Sequence, residues 1–123
     1  MYLLFYSAQN NVFAQSDKLV FLGELDASTV GNSISIDLAP YKSLYVQLNL
    51  GSDNNTQKIP INILSNVLSL SLTEPKTSGT ALNEAHVTIA YVNKGTPEVY
   101  STYASSSQWL SLMRVRFYGC YTI

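Results

Sequence analysis

The sequence predicts an all-β protein: an antiparallel, two-sheet β-sandwich of jelly-roll-like form. About eight or nine short apolar segments are separated by turn-forming residues at the spacing typical of sandwiches and barrels. Several of them alternate between apolar and polar residues, the two-residue period of a half-buried strand. No segment carries the 3.6-residue apolar stripe of an amphipathic helix, so we expect little helix. At 123 residues the chain fits a single domain, residues 1–123.

The clearest strand lies at the end of the chain, in residues 110–123. Arg114, Arg116 and Tyr118 fall on one side of an extended backbone, and Val115 and Phe117 fall on the other. A terminal segment this apolar stays ordered only when it is paired inside a sheet. We therefore expect a core strand that closes the domain.

The other strands are predicted from apolar or alternating runs bounded by turn formers. They are residues 2–6, 19–25, 33–38, 42–50, 58–64, 67–72, 85–92 and 98–103. Segment 19–25 is almost continuously apolar, which predicts burial on both faces. Segment 33–38 should point Ile34, Ile36 and Leu38 inward, and segment 42–50 should point Tyr45 outward.

Proline and turn formers set the limits of these strands. Pro60 lacks the backbone donor that a central strand needs, so segment 58–64 is predicted near a sheet edge. Loops are predicted at residues 7–17, 51–57 and 73–82, where Gly, Asn, Asp, Ser and Pro are densest.

Composition narrows the function classes. Hydrophobic residues make up 46% of the chain and charged residues only 12%, which excludes disorder for most of its length. Ser, Thr, Asn and Gln replace the missing charge, and this favours extracellular or virion-type β domains. The net charge of −1 offers no footprint for nucleic acid, and no apolar run approaches the roughly 18 residues of a membrane span. We expect neither nucleic-acid binding nor membrane insertion.

The residues needed for catalysis do not form a recognisable set. Cys120 and the one imidazole, His86, are far apart in sequence, and Cys120 is read as a small core hydrophobe without a disulfide partner. Glu24 and Asp26 share a strand face, which a solvated strand end explains more simply than a glycosidase pair. We predict that the chain is not an enzyme.

Metal and cofactor sites also lack a pattern. The most oxygen-rich stretch, residues 53–56, offers a single carboxylate, whereas a calcium loop gathers several oxygen ligands. We expect no metal and no cofactor.

The aromatic residues are the best candidates for binding. The chain holds nine tyrosines and one tryptophan, and several fall opposite the apolar rows. Such rings can stack on sugars or anchor an interface, although ordinary packing is the alternative reading. Residues 76–78 and Lys94 are further loop candidates. The predicted ligand-binding set is Tyr45, Asp53, Asn54, Asn55, Tyr100, Trp109 and Tyr118.

Three stretches resemble a known group of proteins. Arg114-Val-Arg-Phe-Tyr-Gly119 resembles the ending of small terminal domains of bacteriophage tail-fibre, head-fibre and related virion proteins. Leu22-Gly-Glu-Leu25 followed by Ser33-Ile-Ser-Ile-Asp-Leu38 is similar to their opening, and Tyr41-Lys-Ser-Leu-Tyr-Val46 to the segment that follows. Those domains often stop at the Tyr-Gly pair, whereas this chain continues to Ile123.

The resemblance implies a β-sandwich that commonly trimerises and that binds host-surface glycans or attaches to a virion. The leading hypothesis is therefore a non-enzymatic virion domain that recognises host glycans at a fibre or tail tip. The alternative is a structural capsid-decoration or tail-assembly protein that acts through homo-oligomerisation. Low charge also favours a homo-oligomer, and the resemblance implies that this oligomer is a trimer. Either protein would reside in the virion, and in the host cytoplasm during assembly.

Overall fold

The computed structural model describes residues 18–51, 53–75 and 82–123. These residues form mainly β-strands, which are arranged in two antiparallel sheets. The strands are β1 (Leu19–Asp26), β2 (Ser43–Leu50), β3 (Asp53–Pro60), β4 (Leu68–Pro75), β5 (Leu82–Ala90), β6 (Glu98–Ala104) and β7 (Arg114–Cys120). The four-stranded sheet has the order β1-β7-β2-β3, and the three-stranded sheet has the order β4-β5-β6. The all-β prediction is confirmed.

Strand β7 lies inside the four-stranded sheet, between β1 and β2. Val115 and Phe117 are fully buried, and Arg114, Arg116 and Tyr118 on the opposite side are partly exposed. The predicted alternation is therefore confirmed. The strand begins at Arg114 and ends at Cys120, so it is shorter than the predicted 110–123.

A short helix, α1 (Ser107–Leu112), precedes β7 and was not predicted. Ser106 caps it, because its side-chain oxygen accepts a hydrogen bond from the Trp109 backbone N–H at 3.2 Å. Six residues are too few to show a helical period of apolar residues, so the capping Ser106 was the sequence signal that could have indicated this helix. A 3-10 helix at Ile61–Ile63 likewise replaces the end of predicted strand 58–64.

Strand β1 corrects the prediction of burial on both faces. It pairs only with β7, at the edge of its sheet, and Phe21 remains 56% exposed. A bulge between Phe21 and Gly23 also interrupts its pairing. An edge position with a bulge explains why an almost continuous apolar run is not enclosed.

Strand β3 corrects the loop predicted at residues 51–57. It pairs with β2 over its whole length, from Leu50 opposite Asp53 to Ser43 opposite Pro60. Gly51 lies in the connection with a φ of 75°, a conformation that glycine adopts without a Cβ penalty. The edge position indicated by Pro60 is confirmed.

Residues 33–38 are extended but form only one isolated bridge, Ser33 to Glu98. The Ile34 and Ile36 backbone N–H groups donate to the carbonyls of Pro97 and Gly95, at 3.2 and 2.8 Å. Ile36 is buried, as its alternation predicted. The direction of the side chains was right, and the regular strand was not.

One hydrophobic cluster holds these elements together. It draws Leu44, Val46 and Phe117 from the four-stranded sheet and Val87 and Ile89 from the three-stranded sheet. The predicted strand 2–6, the loop 7–17 and the candidate residues 76–78 lie outside the described residues.

Candidate functional site

Two predicted site residues, Tyr45 and Tyr118, lie side by side on the outer side of the four-stranded sheet. Tyr45 is fully buried on central strand β2, with Lys58 Nζ 5.5 Å from its ring centroid. Tyr118 is partly exposed, and its ring centroid is 5.5 Å from that of Phe21. Because its ring is enclosed, Tyr45 does not present the solvent-facing surface predicted for it.

The three polar residues predicted in a loop lie instead at the start of β3. Asn54 pairs with Asn49 of β2. Asn55 Nδ2 donates to the Ser71 backbone carbonyl at 2.8 Å and so links β3 to β4. This contact gives Asn55 a structural part in joining the sheets, and Asp53 closes the hairpin opposite Leu50.

The last two predicted residues lie elsewhere. Trp109 belongs to α1 and packs against the core, whereas Tyr100 lies on β6 with 71% of its surface exposed. The predicted residues are therefore divided between the four-stranded sheet, helix α1 and the three-stranded sheet.

An ion-pair network occupies the outer side of the four-stranded sheet. Arg116 Nε donates to Glu24 Oε1 at 2.9 Å, and Arg114 contacts both Glu24 and Asp26. The hydrogen bond to Glu24 raises the pKa of Arg116. Hydrogen bonds from Ser28, assisted by Arg114, lower the pKa of Asp26 despite an opposing desolvation effect. Both acids are engaged by arginines, so they do not form the opposed pair of a glycosidase cleft.

The outer side of the three-stranded sheet is open and rich in hydroxyl groups. Strands β4, β5 and β6 are in register there, so their outward residues form rows across the sheet. Because a β-strand rises about 3.3 Å per residue, the outward residues of β5, from Glu84 to Ala90, extend over about 20 Å. We call this surface the tyrosine face. It consists of Ser69, Ser71, Thr73, Glu84, His86, Thr88, Ala90, Glu98, Tyr100, Ser101 and Tyr103.

Polar contacts order the middle of the tyrosine face. His86 Nε2 lies 3.0 Å from Glu84 Oε1, and the His86 ring stacks on Tyr103 at 6.0 Å between centroids and 20° between planes. The hydroxyl groups of Ser69 and Thr88 are 3.3 Å apart. Tyr103 is 55% exposed, so one aromatic ring is oriented by its neighbours and still accessible.

A cavity of about 400 Å³ lies at one end of the tyrosine face. It is lined by Asn66, Val67, Thr88, Ala90, Tyr91 and Tyr100. Its volume is in the range of small-molecule sites, and its lining combines apolar side chains with a few polar groups. A second, more open cavity of about 340 Å³ lies at the other sheet, beside Tyr41, Lys42 and the C-terminal Ile123.

The tyrosine face and its cavity present side chains that can bind a polar ligand. Among the described residues, no group of three or more His, Cys, Asp or Glu residues is arranged to hold a metal ion. Cys120 is buried at the end of β7, and His86 is on the exposed side of the other sheet. Tyrosine rings, hydroxyl groups and one amide can stack on and hydrogen-bond an uncharged polar ligand.

Sequence reasoning found Tyr100 but missed its neighbours. The alternation in residues 68–73, leucine against serine or threonine, is a signal from which an outward row of hydroxyl groups could have been predicted. Glu84, His86 and Thr88 alternate in the same way. Aligning those two rows required the register of β4 with β5, which the sequence does not contain.

No protein-family model, curated protein or solved structure matches this chain. In the part of the chain that the structure describes, none of the helices has the length and apolar character needed to cross a membrane.

Proposed function

We propose that this chain is a non-enzymatic domain of a bacteriophage virion that binds host-surface glycans through the tyrosine face. The observation that carries the proposal is the exposure of Tyr100 and Tyr103 among rows of hydroxyl groups on strands β4–β6. A pyranose ring has an apolar face and a polar rim. A tyrosine ring beside serine and threonine hydroxyl groups matches both.

The charge of this surface favours a neutral ligand. Glu84 and His86 contact each other at 3.0 Å, and Glu98, opposite Ala90 at one end, is the other carboxylate of this surface. With little free charge to attract ions, the binding should depend only slightly on salt. We expect modest affinity for a single sugar and a gain from several sugars bound at once.

We further propose that the two sheets pack face to face as a jelly-roll-like β-sandwich. Support comes from the single hydrophobic cluster, which takes Phe117 and Val46 from one sheet and Val87 and Ile89 from the other. In this arrangement the tyrosine face and the ion-pair network are the two outer surfaces. A rigid sandwich suits a binding surface that must hold its side chains in position.

The virion setting of the proposal rests on the resemblance of residues 21–119 to phage fibre and tail domains. The domain would stand at a fibre or tail tip as a homotrimer, made in the host cytoplasm and carried in the virion. Three copies of one weak site would raise the avidity for a repeating cell-surface glycan.

A glycan screen of the full chain, followed by single substitutions, tests this function. Tyr103→Ala should lower the affinity for a glycan that binds by roughly tenfold, because it removes an accessible stacking ring. Tyr121→Ala is the matched control, since Tyr121 is 54% exposed, close to the 55% of Tyr103, and lies after β7. Affinities would be measured by calorimetry or by competition on the array.

Two results would contradict the proposal. One is the lack of any signal on both a broad glycan array and whole host cells. The other is a loss of affinity in Tyr121→Ala that equals the loss in Tyr103→Ala.

The alternative function is a structural one, in capsid decoration or tail assembly through homo-oligomerisation. It is favoured by the exposure of apolar side chains away from the tyrosine face, including Val30, Ile63 and Leu112. Light scattering coupled to size exclusion tests it. A stable assembly that binds no glycan would favour this alternative, and a stable 13.6 kDa monomer would contradict it.

A further inference from the structure

Tyr91 follows β5 in an unusual backbone conformation. Its φ is 60°, and it is the one non-glycine residue with positive φ in the described ranges 18–51, 53–75 and 82–123. The Tyr91 carbonyl accepts backbone hydrogen bonds from Lys94 and Thr96, and the next residue, Val92, is buried and donates to the Asn66 carbonyl at 3.0 Å. The left-handed conformation is unfavourable for tyrosine, so these surrounding contacts maintain it.

Tyr100 occupies a second backbone irregularity. Thr88 pairs with Ser101 and the next residue, Ile89, pairs with Val99, so Tyr100 is the extra residue of a β-bulge. Bulges change the direction of side chains and are common beside functional sites. Here the bulge leaves Tyr100 outside the ladder, with 71% of its surface exposed.

Both irregularities bring a tyrosine to the same place. Tyr91 and Tyr100 line the cavity of about 400 Å³ at the end of the tyrosine face. Two independent departures from regular structure converge on one cavity, and such departures are common at binding sites.

The remaining lining has a specific chemical character. Asn66 Oδ1 is buried and accepts no hydrogen bond from the described residues, so the amide carries an unused acceptor. Val67 and Ala90 add aliphatic surface beside it. An unused acceptor next to methyl groups suits a ligand group that carries both an N–H donor and a methyl.

We propose that this cavity is a subsite for a neutral 2-acetamido sugar, such as N-acetylglucosamine or N-acetylgalactosamine. The pyranose ring lies against Tyr91 and Tyr100, and the acetamido methyl contacts Val67 and Ala90. The acetamido N–H donates to Asn66 Oδ1 after a rotation of this partly exposed side chain. This inference rests on the proposed function and names the sugar class that the face selects.

The alternative sugar, with a 2-hydroxyl group, is a poorer match. Its hydroxyl group could donate to Asn66, but it would leave the aliphatic surface of Val67 and Ala90 without an apolar partner. The lining side chains carry no charge, so nothing compensates an acidic sugar for the loss of its hydration.

Saturation-transfer NMR with the full chain tests the inference. The probes are N-acetylglucosamine and N-acetylgalactosamine, with glucose and galactose as the matched 2-hydroxy sugars. The acetamido methyl should show the strongest transfer. The affinity for the acetamido sugars should exceed that for the 2-hydroxy sugars by about tenfold, the usual discrimination of a small apolar pocket.

Two variants separate this subsite from the rest of the face. Val67→Thr keeps the shape but places a hydroxyl group against the methyl, and Asn66→Ala removes the acceptor. Each should reduce the preference for acetamido sugars over 2-hydroxy sugars several-fold. Val67 is half exposed, so its variant should fold even where Asn66→Ala does not.

The outcomes distinguish the two proposals. Equal binding of acetamido and 2-hydroxy sugars, both weakened by Tyr103→Ala, overturns the subsite and supports glycan binding by the face. A preference for acetamido sugars that survives both variants also overturns the subsite. Failure to bind these sugars or any glycan on the array overturns both proposals.

Discussion

Gly119 in β7 lies directly beneath the ring of Tyr41. A Cβ atom at this position would be 2.5 Å from Tyr41 Cγ, closer than packed atoms can approach. Since Cγ cannot move without the whole side chain, Gly119→Ala should lower the free energy of unfolding by about 1–3 kcal/mol. Urea denaturation of the variant measures this loss.

Gly23 supplies the control for that substitution. A Cβ there would be 3.0 Å from the terminal Cδ1 of Ile34, which belongs to a flexible side chain, and at an ordinary 3.7 Å from Ile36 Cγ2. Gly23→Ala should therefore change stability much less than Gly119→Ala. Equal losses would show that contact with Tyr41 is not the reason for glycine at position 119.

Asp26 should make stability depend on pH. The Ser28 hydroxyl and backbone N–H donate to Asp26 Oδ1 at 2.6 and 3.0 Å, and they lower its pKa below the ordinary 3.8. The folded state then binds this proton less tightly than the unfolded state. The resulting stabilisation is present above pH 3.8 and is lost as pH falls through the lower pKa of the folded protein.

Carboxyl NMR together with unfolding at several pH values checks this prediction. Ser28→Ala keeps the carboxyl group but removes the hydroxyl donor, so it should move the pKa of Asp26 back toward 3.8. A pKa of Asp26 at or above 3.8 in the native protein would refute the argument.

Strand β7 is an inner strand of the four-stranded sheet, because it pairs with β1 on one side and with β2 on the other. Phe117 is its largest buried side chain, so Phe117→Ala should reduce the free energy of unfolding by about 3–5 kcal/mol. Phe21→Ala, on exposed edge strand β1, is the matched change and should have a much smaller effect. Thermal and chemical denaturation compare them, and similar losses would mean that β7 is not central to the core.

The prediction from sequence was correct for strands whose two-residue apolar period matches the side chains that are buried. In β7 and β2 the apolar positions alternate, and the inward residues are those that the pattern named. It failed where pairing partners decide the outcome. Polar residues 53–57 form a strand because β2 lies beside them, and apolar β1 stays partly exposed because it has one neighbour.

The candidate site was predicted less well than the fold, for a physical reason. Tyr100 was named, but its cavity depends on a bulge in β6 and on the left-handed backbone of Tyr91. Neither has a sequence signature, since tyrosine normally avoids positive φ. Tyr45, like the exposed tyrosines, alternates with inward apolar residues, yet it is buried because it lies on an inner strand of its sheet.

The two sheets differ in their outer surfaces, and this difference underlies the proposed function of the molecule. One carries the arginine–carboxylate network of Glu24, Arg114 and Arg116, and the other carries the open tyrosine face. Paired charges tie strands together, whereas exposed rings and hydroxyl groups remain available to a ligand. Binding should therefore belong to one face alone.

An amide NMR titration of the full chain with a glycan from the screen tests this most directly. The shifts should change at Thr88, Tyr100 and Tyr103, with residues of β1 and β7 unaffected. Shift changes centred on Glu24 and Arg116, or none at saturating glycan, would contradict the assignment of binding to the tyrosine face.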